Sequence, residues 1–187
     1  MNALAVSALV TTNIAAAFAT LSWMAVDWVI HGKPSASGAA IGAVCGLVAI
    51  TPAAGYVDIS AAIAIGLMAG MICNFTVILM SRTPLDDTLD VFACHGVGGM
   101  WGAIATGIFA QKAINPAGAD GLLYGNPKQL LIQIAAVAAA ALWGFVMSVI
   151  VLKAVDAVMG LRVSAEDEEI GLDMTQHGET AYQLQFD

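Results

Sequence analysis

Residues 86–106 read DDTLDVFACHGVGGMWGAIAT, and the whole chain can be organised around them. One histidine, His95, stands in a segment otherwise apolar enough to cross a membrane, with Asp86, Asp87 and Asp90 at its front. Carboxylates near a first helical turn satisfy orphan N–H groups and complement the positive end of the helix dipole, so a helix is expected to start here. Counted from the carboxylates, His95 lies roughly 12 Å in at 1.5 Å per residue, near mid-membrane. Regular helical spacing places Val91, Phe92, Gly98, Gly99 and Gly102 on its face. An ionisable group at that depth is costly and seldom faces lipid, which makes His95 the first candidate for function.

The rest of the chain supports a membrane setting. Of its 187 residues 59% are hydrophobic and 11% charged, and the mean hydropathy is +0.83, which is not the balance of a soluble domain. Seven of the 14 carboxylates fall after residue 165, so the net charge of −8 mainly describes the tail. Six Lys and Arg without a basic cluster argue against nucleic-acid binding. Cys45, Cys73 and Cys94 all lie in apolar runs without a CxxC pair, and read as small buried residues. No metal site and no cofactor are expected. No positive n-region precedes the first apolar run, so no signal peptide is expected either.

Five apolar segments follow one another, at about 3–30, 37–50, 59–80, 89–110 and 129–159. The fold class expected is therefore an all-α polytopic membrane protein of about five transmembrane helices. Residues 1–160 form the membrane region and 161–187 a polar, acidic tail. Placing the N-terminus outside leaves Lys33, Arg82, Lys153 and Arg162 inside and Lys112 and Lys128 outside. That positive-inside bias puts the C-terminus in the cytoplasm. Gly38, Gly42 and Gly46 recur every four residues, and Gly66 and Gly70 repeat the device, as expected for close helix packing around the His95 helix. Asn13 and Asn74 are expected to hydrogen-bond across helices, and Pro52 to stop the second helix near Thr51.

The motif D-D-x-x-D-V-F-x-x-H-G-x-x-G is filled by Asp86, Asp87, Asp90, Val91, Phe92, His95, Gly96 and Gly99. It resembles the tenth-helix signature of the ammonium transporter (Amt/MEP/Rh) family. Residues 42–56, GAVCGLVAITPAAGY, are similar to the family's eighth helix, and Thr11-Thr12-Asn13 to its seventh. H-G-E-x-A-Y, from His177 to Tyr182, is similar to its cytoplasmic tail. The resemblance implies spans seven to eleven of an eleven-helix fold built on two five-helix inverted repeats. It makes His95 the second of two pore histidines and Phe92 its neighbour in the substrate pore. A neutral imidazole, with one donor and one acceptor nitrogen, suits contact with ammonia. Arg162, His177, Gly178 and Tyr182 would belong to a regulatory tail that couples the transporter to a PII-type signalling protein. A homotrimer in the inner (cytoplasmic) membrane, embedded in lipid, is implied for the complete protein.

The first repeat and the sixth span have no counterpart in these residues. A pore between two repeats cannot close with one, so the chain is expected to be the C-terminal portion of a transporter, from a truncated, split or misannotated gene, and inactive alone. The alternative is a non-conducting, ammonium-responsive regulatory or decoy subunit acting through its tail. A haem anchor would need a second membrane histidine, and His31 and His177 lie outside the spans. No enzymatic activity is expected.

Overall fold

Each apolar run ends where its sequence supplies a reason to stop. In the computed structural model, which describes residues 2–180, α1 covers Ala3–His31 and closes on Gly32, whose φ of 76° only glycine adopts freely. Ser35 caps α2, Ala36–Ile50, by accepting a hydrogen bond from the Gly38 N–H, and Pro52 stops it two residues beyond its last turn. Asp58 caps α3, Ile59–Met80, through the Ala61 N–H at 2.8 Å. That hydrogen bond holds the Asp58 carboxyl below the usual carboxylate range. A π-helical turn, Phe92–Val97, runs directly into α4, Gly98–Phe109. Past a loop with one 3₁₀ turn at Leu122–Tyr124, α5 covers Pro127–Met159.

All regular elements among the described residues are helical, as an all-α polytopic membrane protein requires. Four are long and apolar enough to cross a bilayer: α1, α3, Phe92–Phe109 and α5. The second expected span differs. With 15 residues, α2 reaches only about 22 Å at 1.5 Å per residue, short of the roughly 30 Å hydrocarbon core. The chain then continues in tight turns, Ala53 N–H to Ile50 and Tyr56 N–H to Ala53, both at 2.8 Å.

The described fold divides into two compact units, Met1–Ala139 and Ala140–Asp187. In the first, α1 is the axis onto which α2 and α3 pack. The glycine stripes show how. A Cβ added at Gly46 would stand 2.6 Å from the Ala15 carbonyl oxygen, and one at Gly42 2.7 Å from the Trp23 Cβ. At Gly66 and Gly70 it would strike the carbonyl oxygens of Ala15 and Ala19. The stripes therefore do not clasp the His95 helix. They clasp α1, because α1 presents Ala15, Ala19 and Ser22 along one buried row and lets backbones meet. On α4, Gly102 closes against the Ala49 carbonyl of α2, and the Trp101 indole donates to the Ile65 carbonyl at 3.1 Å. Ala49, Ile50, Val57, Ile65 and Ala105 fill the space between, all with no exposed surface.

In the second unit the helix α6, Ala165–Ile170, is capped by Ser164, which accepts from the Asp167 N–H at 3.1 Å. Arg162 clamps Glu168 with both Nε and Nη2, at 3.0–3.1 Å. A short π-helical turn, Asp173–His177, ends on Gly178 at φ 68°.

Because Gly46 has no room for a side chain, Gly46→Leu is expected to break the α1–α2 seam. Overpacking of this kind costs roughly 1–3 kcal/mol or more. Gly144→Leu, where nothing lies within 4 Å of the added carbon, is expected to be neutral. Thermal or denaturant unfolding of both variants in detergent, followed by circular dichroism, checks the contrast.

Candidate functional site

The site begins with a cap. Both oxygens of Asp87 accept backbone hydrogen bonds, Oδ1 from Val91 at 2.9 Å and Oδ2 from Phe92 at 3.0 Å. Two orphan donors of the helix start are thus held by one carboxylate. Asp86 takes no part in this; its Oδ1 accepts from the Thr88 hydroxyl at 2.7 Å. Asp90 turns the chain into the helix at φ 53°, a left-handed conformation that aspartate tolerates better than most residues. Burial and the nearby negative charge of Asp87 push the Asp90 carboxyl above its ordinary value.

The helix consequently starts at Val91, and His95 stands in its first turn rather than two turns inside. Depth comes from elsewhere. The Cys94 sulfur lies 3.1 Å from that of Cys45, nine residues into α2 or about 14 Å from its start. Non-helical chain before Val91 therefore carries the first turn to the level of the interior of α2.

The shared face expected from regular helical spacing is split. His95 is exposed, as are Val91 and Phe92, each at 50%. Gly98 and Gly102 point the other way: they are buried, Gly98 with its Cβ position 3.2 Å from the Cys73 sulfur. The π-helical turn is the reason. Closing hydrogen bonds over five residues instead of four inserts an extra residue into the turn, and Cys94, Gly98 and Gly102 become the inward row. Gly99 has only Val48 within reach of an added carbon, at 3.8 Å. Gly96 carries the Phe92 ring, whose Cδ2 is 3.3 Å from its Cβ position. What the structure brings together on the open face is thus His95, Phe92, Gly96 and Gly99. Among the described residues the His95 ring has no hydrogen-bond partner.

Other expected positions fall elsewhere. Asn74 does bond across helices, donating from Nδ2 to Asp27 Oδ1 at 2.8 Å, whereas Asn13 bonds within its own helix to the Leu9 carbonyl at 2.8 Å. His177 and Gly178 are exposed in the second unit. Tyr182 lies outside the described residues.

The profile of the Ammonium Transporter Family matches residues 1–182. The chain belongs to that family. It is 48% identical over 181 residues to the ammonium transporter Amt1 of Archaeoglobus fulgidus, a match covering 97% of this chain and 46% of the relative. The crystal structure of Candida albicans Mep2 superposes with a TM-score of 0.83 at 38% identity, covering 89% of this chain and 38% of that one. A solved structure described as a sensor Amt protein superposes at 0.84 with 29% identity, over 94% of this chain and 43% of its own. The chain therefore spans less than half the length of the curated relatives it matches, and is a multi-pass membrane protein of the ammonium transporter family.

Two features escaped the sequence. Asp27, near the end of the first apolar run, is only 8% exposed and is bound by Asn74. The cysteines were read one at a time, while Cys45 and Cys94 stand in contact from different helices. An Asp in one apolar run and an Asn in another were a signal for the first. Nothing local signalled the second.

Since Asp87 is the carboxylate that accepts from the Val91 and Phe92 amides, Asp87→Ala is expected to destabilise the His95 turn by about 1–2 kcal/mol, seen as faster amide exchange at Val91 and Phe92. Asp86→Ala should leave those amides unchanged.

Proposed function

We propose that this chain supplies one wall of an ammonia-conducting pore in an Amt-type transporter of the cytoplasmic membrane, and that His95 and Phe92 are its substrate-facing residues. The observation carrying this is the open face: a histidine without a hydrogen-bond partner beside an exposed phenylalanine, at the level of the interior of α2, in a chain of this family. Ammonium carries a full charge that an apolar wall disfavours, whereas ammonia is small and neutral. A neutral imidazole can accept from ammonia at one nitrogen and donate at the other. The remaining spans of a complete transporter would cover this face, and the whole would assemble as a lipid-embedded homotrimer. Residues 1–160 form the membrane part with the N-terminus outside. The tail from residue 161, with Arg162, His177, Gly178 and Tyr182, lies in the cytoplasm and meets a PII-type protein.

A second reading, a non-conducting ammonium-responsive subunit acting through the tail, draws on the likeness to a protein described as a sensor Amt. Growth separates the two. In a host without ammonium transporters on limiting ammonium, this chain alone is expected to give no growth, and neither does a fragment with the first six spans of Amt1. Both together should restore growth, and His95→Ala in this chain should abolish or alter uptake at matched protein level. Growth with this chain alone, or full uptake by His95→Ala, would contradict the pore reading. Absence of growth in every arm, with ammonium-dependent capture of PII by the tail, would favour the second.

A further inference from the structure

We propose that Cys45 and Cys94 form an oxidation site, closing to a disulfide that ties the His95 turn covalently to α2. Their sulfurs are 3.1 Å apart, with the Cys45 thiol donating to Cys94, so forming the bond requires a closure of about 1 Å to the roughly 2.05 Å of a disulfide. Both residues are free thiols. They come from separate elements, α2 and the π-helical turn, which makes the bond a link between elements rather than a local loop. Cys73 of α3 belongs to the same buried cluster with Trp23, and its side chain also interacts with Cys45, but the direct sulfur–sulfur contact at 3.1 Å is the one between Cys45 and Cys94.

The two thiols have unequal roles. Cys94 precedes His95 on the turn that opens outward and is 3% exposed, whereas Cys45 has no exposed surface. Cys94 is therefore the sulfur oxidised first and Cys45 the resolving one. The oxidant is a small, membrane-permeant peroxide. The Cys94 sulfur bonds to one peroxide oxygen, the O–O bond breaks, and the departing hydroxide leaves as water with the thiol proton, giving a sulfenic acid. The Cys45 sulfur then attacks Cys94, the S–S bond forms, the S–O bond breaks, and the second hydroxide leaves as water with the Cys45 proton. Two thiols and one peroxide become one disulfide and two waters.

The consequence falls on a π-helical turn, Phe92–Val97, whose regular helical bonding is replaced. Joined to α2 one residue before His95, the turn loses freedom to shift register between π- and α-helical bonding. Reduction restores it. The proposal stands apart from the transport reading, because its test reads thiols and not uptake.

Membranes containing the full chain are treated with hydrogen peroxide, denatured in the presence of N-ethylmaleimide, digested and analysed by mass spectrometry. Two of the three thiols should become unavailable, with a cross-linked Cys45–Cys94 peptide lacking two hydrogens, and dithiothreitol should restore all three. Cys73→Ser should form the same cross-link. Cys45→Ser should leave Cys94 as a sulfenic acid that dimedone labels. Three alkylated thiols after oxidation, or cross-links through Cys73 in equal yield, would overturn the proposal.

Discussion

The structure depends on how closely α1 lets its neighbours approach. Gly42 and Gly46 from α2, and Gly66 and Gly70 from α3, lie against the backbone of α1 near Ala15 and Ala19. Each contact is van der Waals in kind and individually small, but there are many, and any added carbon would be driven into a carbonyl or a neighbouring side chain. In lipid, where apolar surface gains little by leaving its surroundings, such fit is what holds helices together. With α2 and α3 set by α1, the position of the His95 turn is set by them. Gly102 closes on Ala49, Cys94 meets Cys45, and Trp101 bonds to the Ile65 carbonyl.

That chain of dependence explains why the open face is where it is. The inward row of Cys94, Gly98 and Gly102 is consumed by packing, which turns His95 and Phe92 outward. Asp87 holds the first two amides of the turn while Asp90 redirects the chain into it. A signature of carboxylates, histidine and glycines thus divides by task. Asp87 and Asp90 build the turn, Gly98 and Gly102 dock it, and Gly96 and Gly99 keep the outer side low beside the ring of Phe92.

Much of this was legible in the residues. Helix bounds followed from apolar length and from Pro52, whose effect on the backbone is local. The start and register of the His95 helix were not legible. A regular period of 3.6 puts Gly98 and Gly102 beside His95, whereas in the fold they pack against Cys73 and Ala49 across the wider turn that separates them from it. The partner of the glycine stripes was also hidden, because a stripe states that something packs closely and not what. Likewise, no spacing rule relates Cys45 to Cys94, 49 residues apart.

The central claim is that the face bearing His95 and Phe92 is an internal surface of the complete assembly rather than a lipid-facing one. Photocross-linking tests it most directly: benzoylphenylalanine replaces Phe92 in this chain, co-expressed in membranes with a fragment carrying the first six spans of Amt1, and the adducts are identified after irradiation. The account predicts an adduct with that fragment, absent when the probe replaces Val146 on the exposed surface of α5. Adducts with lipid alone from position 92, at equal expression of both fragments, would contradict it.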